Sequence, residues 1–291
     1  MIANDVRILW DQQFKEKSYP VFMNGDILDI VEPSWELRSY ESLNILPDFR
    51  KKKFGISYFL QPFLTRTLCG YEKIETKYWN GFFPKICQFN IDRLPIGIPD
   101  NWEIKEMKFQ RMSLDIPLEE IEKRYSENVR RVKKKLISHT LETEVTLSQY
   151  FDFIKRNNQF FSKMKTELFS KFKKLIMYFD ANDLGEIIAI KDENGKFTAM
   201  SYYIFDNETV IDFKGAVTRD GKKRGAMVIL HMKAISKFHG TFKVYDFYGA
   251  NSSGRAHFNR KFGGHNVIYY QLTRLDYPKP IKYLIRKIWS I

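Results

Sequence analysis

Amide, acidic and basic side chains are concentrated in the segment YDFYGANSSGRAHFNRKFGG, which covers residues 245–264. The pattern predicts a strand, a glycine break, a polar turn and a short helix that ends in KFGG. Cations and amide donors on one short helix can stabilise negative charge, either on an anionic substrate or on an oxyanion. The predicted catalytic residues of this segment are Asp246, Asn259, Arg260 and Lys261. Asp246 has two interpretations, as a base or as a structural hydrogen-bond acceptor for the turn at Ser252 and Ser253, and the structural one is favoured.

A second segment, TRDGKKRGA, precedes a predicted helix at residues 226–238. Glycines and free backbone amides at a helix N-terminus form a natural site for phosphate or pyrophosphate. The residues of this predicted phosphate site are Lys222, Lys223, Arg224 and Gly225. An ordinary strand-to-helix turn with solvated lysines explains the same segment, and the sequence favours that interpretation.

A third segment, YSENVRRVKKKL, lies in a long predicted helix that begins at Pro117. Arg130, Lys133 and Lys134 share one helical face and could follow a phosphate backbone. Residues 122–175 contain 14 Lys and Arg against 6 Asp and Glu, so the cations are clustered rather than spread evenly. A solvated helix side is the equally weighted alternative.

Composition limits the class of protein. The 291 residues carry a net charge of +13, which favours anionic partners such as nucleic acid, phosphorylated metabolites or an anionic membrane face. Two cysteines, Cys69 and Cys87, are too few for a disulfide framework, and the five histidines are not at metal-ligand spacing. We therefore expect no metal site. The absence of a long apolar run and of a signal-peptide core predicts a cytoplasmic protein without a transmembrane segment.

The elements that must position these residues form two mixed α/β halves joined by helices. The expected division is 1–117 for a first unit, 118–180 for a helical junction, 181–277 for the core of a second unit and 278–291 for a basic C-terminal helix. The second unit should contain a three-stranded meander from Gly185 to Val217, followed by a helix, a strand, a helix and a last strand. The C-terminal helix could dock on the first unit, which is favoured, or bind the inner membrane face through an apolar side flanked by cations.

Three segments together resemble the FemABX-type acyltransferases, a double-GNAT family. YDFYGA…GRAHFNRKFGG resembles the family's closing motif, YSENVRRVKKK resembles the helix between its two units, and residues 35–70 resemble a first-unit meander with Gln61, Pro62 and Thr65. The resemblance implies two tandem GNAT-like units, each a mixed and mostly antiparallel sheet flanked by helices. It also implies an enzyme that transfers an acyl or aminoacyl group to an amine, with a cell-envelope precursor as one candidate acceptor.

The resemblance implies aminoacyl-tRNA or acyl-CoA as the donor substrate, tRNA as a partner, and no covalently bound cofactor. Two positions depart from the family pattern. Asn259 stands where the family often has a Lys that stabilises charge at the reacting carbonyl, and Met227 occupies the last position of the coenzyme A loop pattern. The departure at Met227 favours aminoacyl-tRNA over acetyl-CoA. The two departures together leave open a catalytically silent GNAT-like module that binds RNA or another polyanion.

Overall fold

The structure is a computed structural model and describes residues 3–40, 44–135 and 140–289. The helices are α1 Ala3–Glu16, α2 Gly25–Val31, α3 Thr76–Phe82, α4 Leu118–Lys123, α5 Glu127–Lys135, α6 Leu147–Asn157, α7 Gln159–Ser162, α8 Thr166–Ala181, α9 Arg219–Arg224, α10 Ala226–Phe238, α11 Ser253–Arg260 and α12 Lys279–Trp289. The strands are β1 Glu36–Tyr40, β2 Asn44–Asp48, β3 Arg50–Lys53, β4 Ile56–Leu60, β5 Ile86–Ile91, β6 Trp102–Ser113, β7 Thr140–Glu142, β8 Gly185–Lys191, β9 Phe197–Asp206, β10 Thr209–Val217, β11 Val244–Asp246 and β12 His265–Leu275. The predicted mixed α/β class is confirmed.

The single long helix predicted from Pro117 is wrong, because α4 ends at Lys123 and α5 begins at Glu127. The backbone N–H of Ser126 donates to the carbonyl of Lys261 at 2.8 Å, and the Ser126 hydroxyl accepts from Val129 N at 3.4 Å. The Ser126 N–H therefore bonds to a carbonyl far along the chain instead of one in the preceding helical turn. Helix α5 then begins with Ser126 as its cap. Helix α3 ends at Phe82, because Pro84 follows and cannot continue a helix.

The chain divides into two compact units, and the first consists of Met1–Met107 with Ile268–Ile291. Its strands β1 and β2 pair antiparallel; β3–β4 and β5–β12 are antiparallel pairs, and β4–β5 is parallel. Aromatic rings fill the core of this unit, with Phe59 against Phe83 at 5.4 Å and Phe83 against Phe89 at 4.9 Å between ring centroids. Residues 268–277, which the sequence assigned to the second unit, lie here because β12 pairs with β5.

Helix α12 packs on the first unit, which is the favoured one of its two predicted placements. Ile285 is buried on this helix and contacts Ile86 and Leu275. Within residues 3–40, 44–135 and 140–289, no helix combines the length and the apolarity needed to cross a membrane.

The second unit is Lys108–Val267. Its strand order is β6-β11-β10-β9-β8-β7, with β10 and β11 parallel and the other neighbours antiparallel. Helices cover both faces of this sheet. Consecutive residues of β9 point to opposite sides, so the ring of Tyr202 contacts Tyr150 of α6 and that of Tyr203 contacts Phe238 of α10. The predicted meander of β8, β9 and β10, the helix α10 and the strand β12 all form.

Candidate active site

A cavity of about 270 Å³ opens in the second unit where strands β10 and β11 separate. The two parallel strands pair only from Thr209 to Ile211 on β10, after which β11 ends and β10 continues to Val217. Side chains of α6–α7, α10 and α11 close the remaining sides. The lining residues are Asn158, Asp212, Phe213, Lys214, Gly215, Met227, His231, Phe247, Arg255, Phe258 and Asn259.

A β-bulge in β10 brings three consecutive residues to this one cavity. Asp212 pairs with Tyr203 and Lys214 pairs with Tyr202, so Phe213 is the extra residue. Regular alternation would send Phe213 to the face opposite its two neighbours, and the bulge removes that alternation. Neighbouring side chains fix the backbone here, since the Tyr150 hydroxyl donates to the Lys214 carbonyl at 2.8 Å and Asn158 Nδ2 donates to the Gly215 carbonyl at 2.9 Å.

Lys214 is a half-buried amine held between aromatic rings. Its Nζ lies 4.4 Å from the ring centroid of Tyr248 and 4.9 Å from that of Phe213. Within the described parts of the chain, no ion pair or hydrogen bond reaches this Nζ. Burial and, to a smaller extent, the charge of Arg255 lower the pKa of Lys214 from 10.5 to about 7, against the opposing effect of Asp212. An amine with this pKa can take up and release a proton near neutral pH.

A polar network lies behind the lysine. His231 is buried, and its Nδ1 shares a 2.8 Å hydrogen bond with the Tyr245 hydroxyl, while its Nε2 lies 3.7 Å from Oδ2 of Asp212. Burial lowers the pKa of His231 more than the charge of Asp212 raises it, so the imidazole is neutral at pH 7. Ser201 donates its hydroxyl hydrogen to Asp212. The network therefore holds one carboxylate at the cavity wall beside a neutral histidine.

Helix α11 supplies the remaining polar groups. The Ser252 hydroxyl caps the helix by accepting from Arg255 N at 3.4 Å, which sets the start of the helix at the cavity edge. Arg255 is exposed and lines the cavity. Asn259 is buried, and its Nδ2 donates to the Gly249 carbonyl at 3.3 Å. The positive φ of this turn falls on Tyr248, at 63°, rather than on Gly249.

The predicted catalytic residues are therefore separated. Asn259 lines the cavity, whereas Arg260 and Lys261 are not among its lining residues. Arg260 is exposed, and Lys261 is half-buried at the end of α11, with its carbonyl bonded to Ser126. Asp246 is fully buried, where its carboxylate accepts from Arg111 Nε at 2.9 Å and from Tyr248 N at 2.7 Å. Its position is that of a structural acceptor, although for Tyr248 rather than for the serine turn.

The segment predicted to be a phosphate-binding loop forms helix α9 instead. Lys222, Lys223 and Arg224 lie in the last turn of α9, and the Gly225 N–H already donates to the carbonyls of Gly221 and Lys222. Arg224 is also ion-paired with Glu193 at 2.7 Å. The Gly225 amide, which was expected to be free, is therefore already used within the turn.

The basic face of α5 is exposed as expected. Arg130 is solvent-exposed, and Lys133 is exposed with its Nζ 2.6 Å from Glu122. The side chain of Lys134 lies outside the described residues. Within the described residues no group of three or more His, Cys, Asp or Glu side chains is arranged to hold a metal ion.

The predicted site residues did not include Asp212, Lys214, His231 or Arg255. The available signal was a lysine inside the apolar strand segment VIDFKGAV and a histidine inside the apolar helix segment AMVILHMKAI. Burying a polar side chain costs free energy unless it is paired, so a lysine and a histidine in apolar segments both indicate a functional site.

Solved structures similar in fold include FemX, with a TM-score of 0.63 and 10% identity over 98% of both chains. A tandem GNAT protein from the clavulanic acid biosynthesis pathway has a TM-score of 0.52 and 9% identity, covering 96% of this chain and 97% of that one. L-PGS from Bacillus licheniformis has a TM-score of 0.51 and 12% identity, covering 88% and 90%. No protein-family model and no curated protein matches the sequence. The predicted FemABX-like double-GNAT fold is confirmed, and at these identities the likeness concerns the fold alone.

Proposed function

We propose that the cavity of the second unit transfers an acyl or aminoacyl group from an activated donor to an amine. The donor is an aminoacyl-tRNA or an acyl-CoA. The observation that carries this proposal is the meeting of Lys214, Arg255 and Asn259 in one cavity. These groups supply a proton acceptor, a cation and an amide donor, and aminolysis of an activated ester needs little else beyond orientation.

Lys214 accepts the proton that the acceptor amine must lose. An alkyl amine has a pKa of about 10 and is mostly protonated at pH 7, so it cannot attack a carbonyl until the proton is removed. With its pKa lowered to about 7 by burial and by the charge of Arg255, Lys214 is partly neutral at that pH. A base whose pKa lies near the working pH is the most effective general base.

The step balances without a further reactant. The acceptor nitrogen forms a bond to the donor carbonyl carbon, and the electron pair of the C=O bond becomes an oxyanion. The carbonyl then re-forms, and the bond to the ribose oxygen or to the coenzyme A sulfur breaks. The leaving group takes the proton that Lys214 has accepted, and the second proton, which the attacking nitrogen loses as the amide forms, passes to water.

Arg255 and Asn259 stabilise the oxyanion. Asn259 has a second amide hydrogen besides the one donated to Gly249, and Arg255 adds positive charge at the cavity edge. Asn259 thus keeps a polar role, and the cation is Arg255, five residues before the expected Arg260 in α11. The exposed cations of α5 favour a polyanionic donor such as tRNA.

The test is a transfer assay with the full chain, a panel of labelled aminoacyl-tRNAs and acyl-CoAs, and small amines as acceptors. The Lys214→Met variant should transfer about 10²- to 10⁴-fold more slowly, the usual contribution of a general base. Lys174→Met, which changes an exposed lysine of α8, is the matched control and should keep full activity. Equal rates for Lys214→Met and the control would remove the cavity from the reaction.

A catalytically silent polyanion-binding module is the second candidate. The amide at position 259, where the resemblance implies a lysine, favours it. Saturable tRNA binding with a steep salt dependence, and no transfer from any donor of the panel, would support this candidate over the first.

A further inference from the structure

Helix α12 has a wider apolar face than the first unit covers. Ile285 is buried against Ile86 and Leu275. The neighbouring apolar residues Ile281, Leu284 and Ile288 are 43%, 56% and 45% exposed. Their spacing of i, i+3 and i+7 places them in one strip along the helix beside the buried stripe. Part of the apolar face of α12 is therefore left facing solvent.

A second apolar group lies beside this strip, at the turn between β3 and β4. Phe54 is 80% exposed and adopts a positive φ of 53°, an unusual conformation for an aromatic residue. Lys53 connects the turn to α12, because its Nζ lies 5.5 Å from the ring of Phe54 and 5.6 Å from the ring of Trp289. Trp289 in turn contacts Tyr58 of β4, with 6.0 Å between ring centroids.

Cations surround these apolar residues. The lysines of the surface that have no ion pair within the described parts of the chain are Lys53, Lys279, Lys282 and Lys287. The acids nearby are already paired, with Glu103 bound to Arg286 at 2.7 Å and Glu32 bound to Lys51. The surface thus presents aliphatic and aromatic groups within a net positive field.

We propose that this docking surface, formed by Ile281, Leu284 and Ile288 of α12 with Phe54 and the four lysines, binds an anionic lipid bilayer. Amphipathic helices with a cationic border lie in the membrane interface, with their apolar side among the acyl chains and their lysines near lipid phosphates. A nucleic acid would use the lysines and leave the aliphatic strip exposed to water, so the aliphatic strip favours lipid. The inference does not depend on the proposed transfer activity.

The experiment measures sedimentation of the full chain with vesicles of phosphatidylcholine alone or mixed equally with phosphatidylglycerol. We expect binding to the anionic vesicles and at least about tenfold weaker binding to the neutral ones. The variant Phe54→Ser/Leu284→Ser/Ile288→Ser should lower the partition coefficient on anionic vesicles about tenfold or more. The matched control is Ile96→Ser/Phe160→Ser/Met177→Ser, which removes three exposed apolar side chains elsewhere and should bind as the wild type does.

A second measurement on the unaltered protein keeps the test decisive if the triple variant does not fold. Brominated phosphatidylglycerol should quench the fluorescence of Trp289, and a Trp289→Phe variant should lose that quenching. Absence of quenching and of binding to anionic vesicles would overturn the proposal. Two other results would also overturn it: binding of tRNA but not of vesicles, or a dimer in solution that the triple variant abolishes.

Discussion

At the residue scale, the proposed chemistry depends on Lys214. Sequence reasoning reached Asn259 because the segment around it carries a recognisable motif, and it missed Lys214 because a lysine in an alternating strand normally faces solvent. The bulge at Phe213 reverses that expectation. A bulge depends on the pairing of β10 with β9, which the residues of VIDFKGAV do not encode by themselves.

The lowered pKa of Lys214 predicts a pH-dependent stability. The pKa is about 7 in the folded chain and 10.5 when the amine is in water. Between these values the unfolded chain binds more protons, so the free energy of unfolding should rise with pH from about 7 toward 10.5. Lys214→Met cannot titrate and should lack this rise. Urea denaturation of both proteins at pH 7, 8 and 9 measures the difference, and parallel pH dependences would contradict the lowered pKa.

The burial of Asp246 predicts a structural role for its carboxylate. Asp246→Asn should lower the free energy of unfolding by about 1–3 kcal/mol, since the ion pair with Arg111 and the charge-assisted bond to Tyr248 N are weakened. Transfer per folded molecule and its pH profile should be unchanged. Unaltered stability together with a hundredfold loss of transfer would instead identify Asp246 as the base.

At the element scale, the sequence predicted the strands and helices whose patterns are local. The meander of β8, β9 and β10, the helix α10 and the strand β12 each follow from their own residues. The break between α4 and α5 does not, because it depends on the carbonyl of Lys261, which is distant in sequence. The same is true of the helix α9, which replaced a predicted phosphate loop.

The exposed face of α5 predicts polyanion binding by the folded chain. Replacing Arg130, Lys133 and Lys134 with Glu should abolish binding of tRNA. Any binding that remains should depend less on salt, because fewer phosphate contacts release fewer counterions from the nucleic acid. The thermal midpoint should stay nearly the same. Filter binding at several salt concentrations measures the effect.

The matched control for this face replaces Lys163, Lys165 and Lys174 with Glu, which changes the net charge equally at other exposed positions. If both triple variants lose binding equally, the net charge of the protein, rather than the face of α5, attracts the polyanion.

At the scale of the whole molecule, three short motifs were enough to predict the double-GNAT fold, because their order along the chain is specific even where each motif is weak. The sequence did not predict that residues 268–277 return to the first unit. That return follows from the pairing of β12 with β5, and a strand's partner is set by tertiary structure rather than by local pattern.

The most direct test of the account is the pH dependence of single-turnover transfer at saturating donor. For the wild type, the rate should rise with pH and level off, with a midpoint near the pKa of about 7 that burial gives Lys214. The Lys214→Met variant should be about 10²- to 10⁴-fold slower and lack this rise. A wild-type midpoint near 7 that persists at full rate in Lys214→Met would contradict the central claim, because another group would then be the proton acceptor.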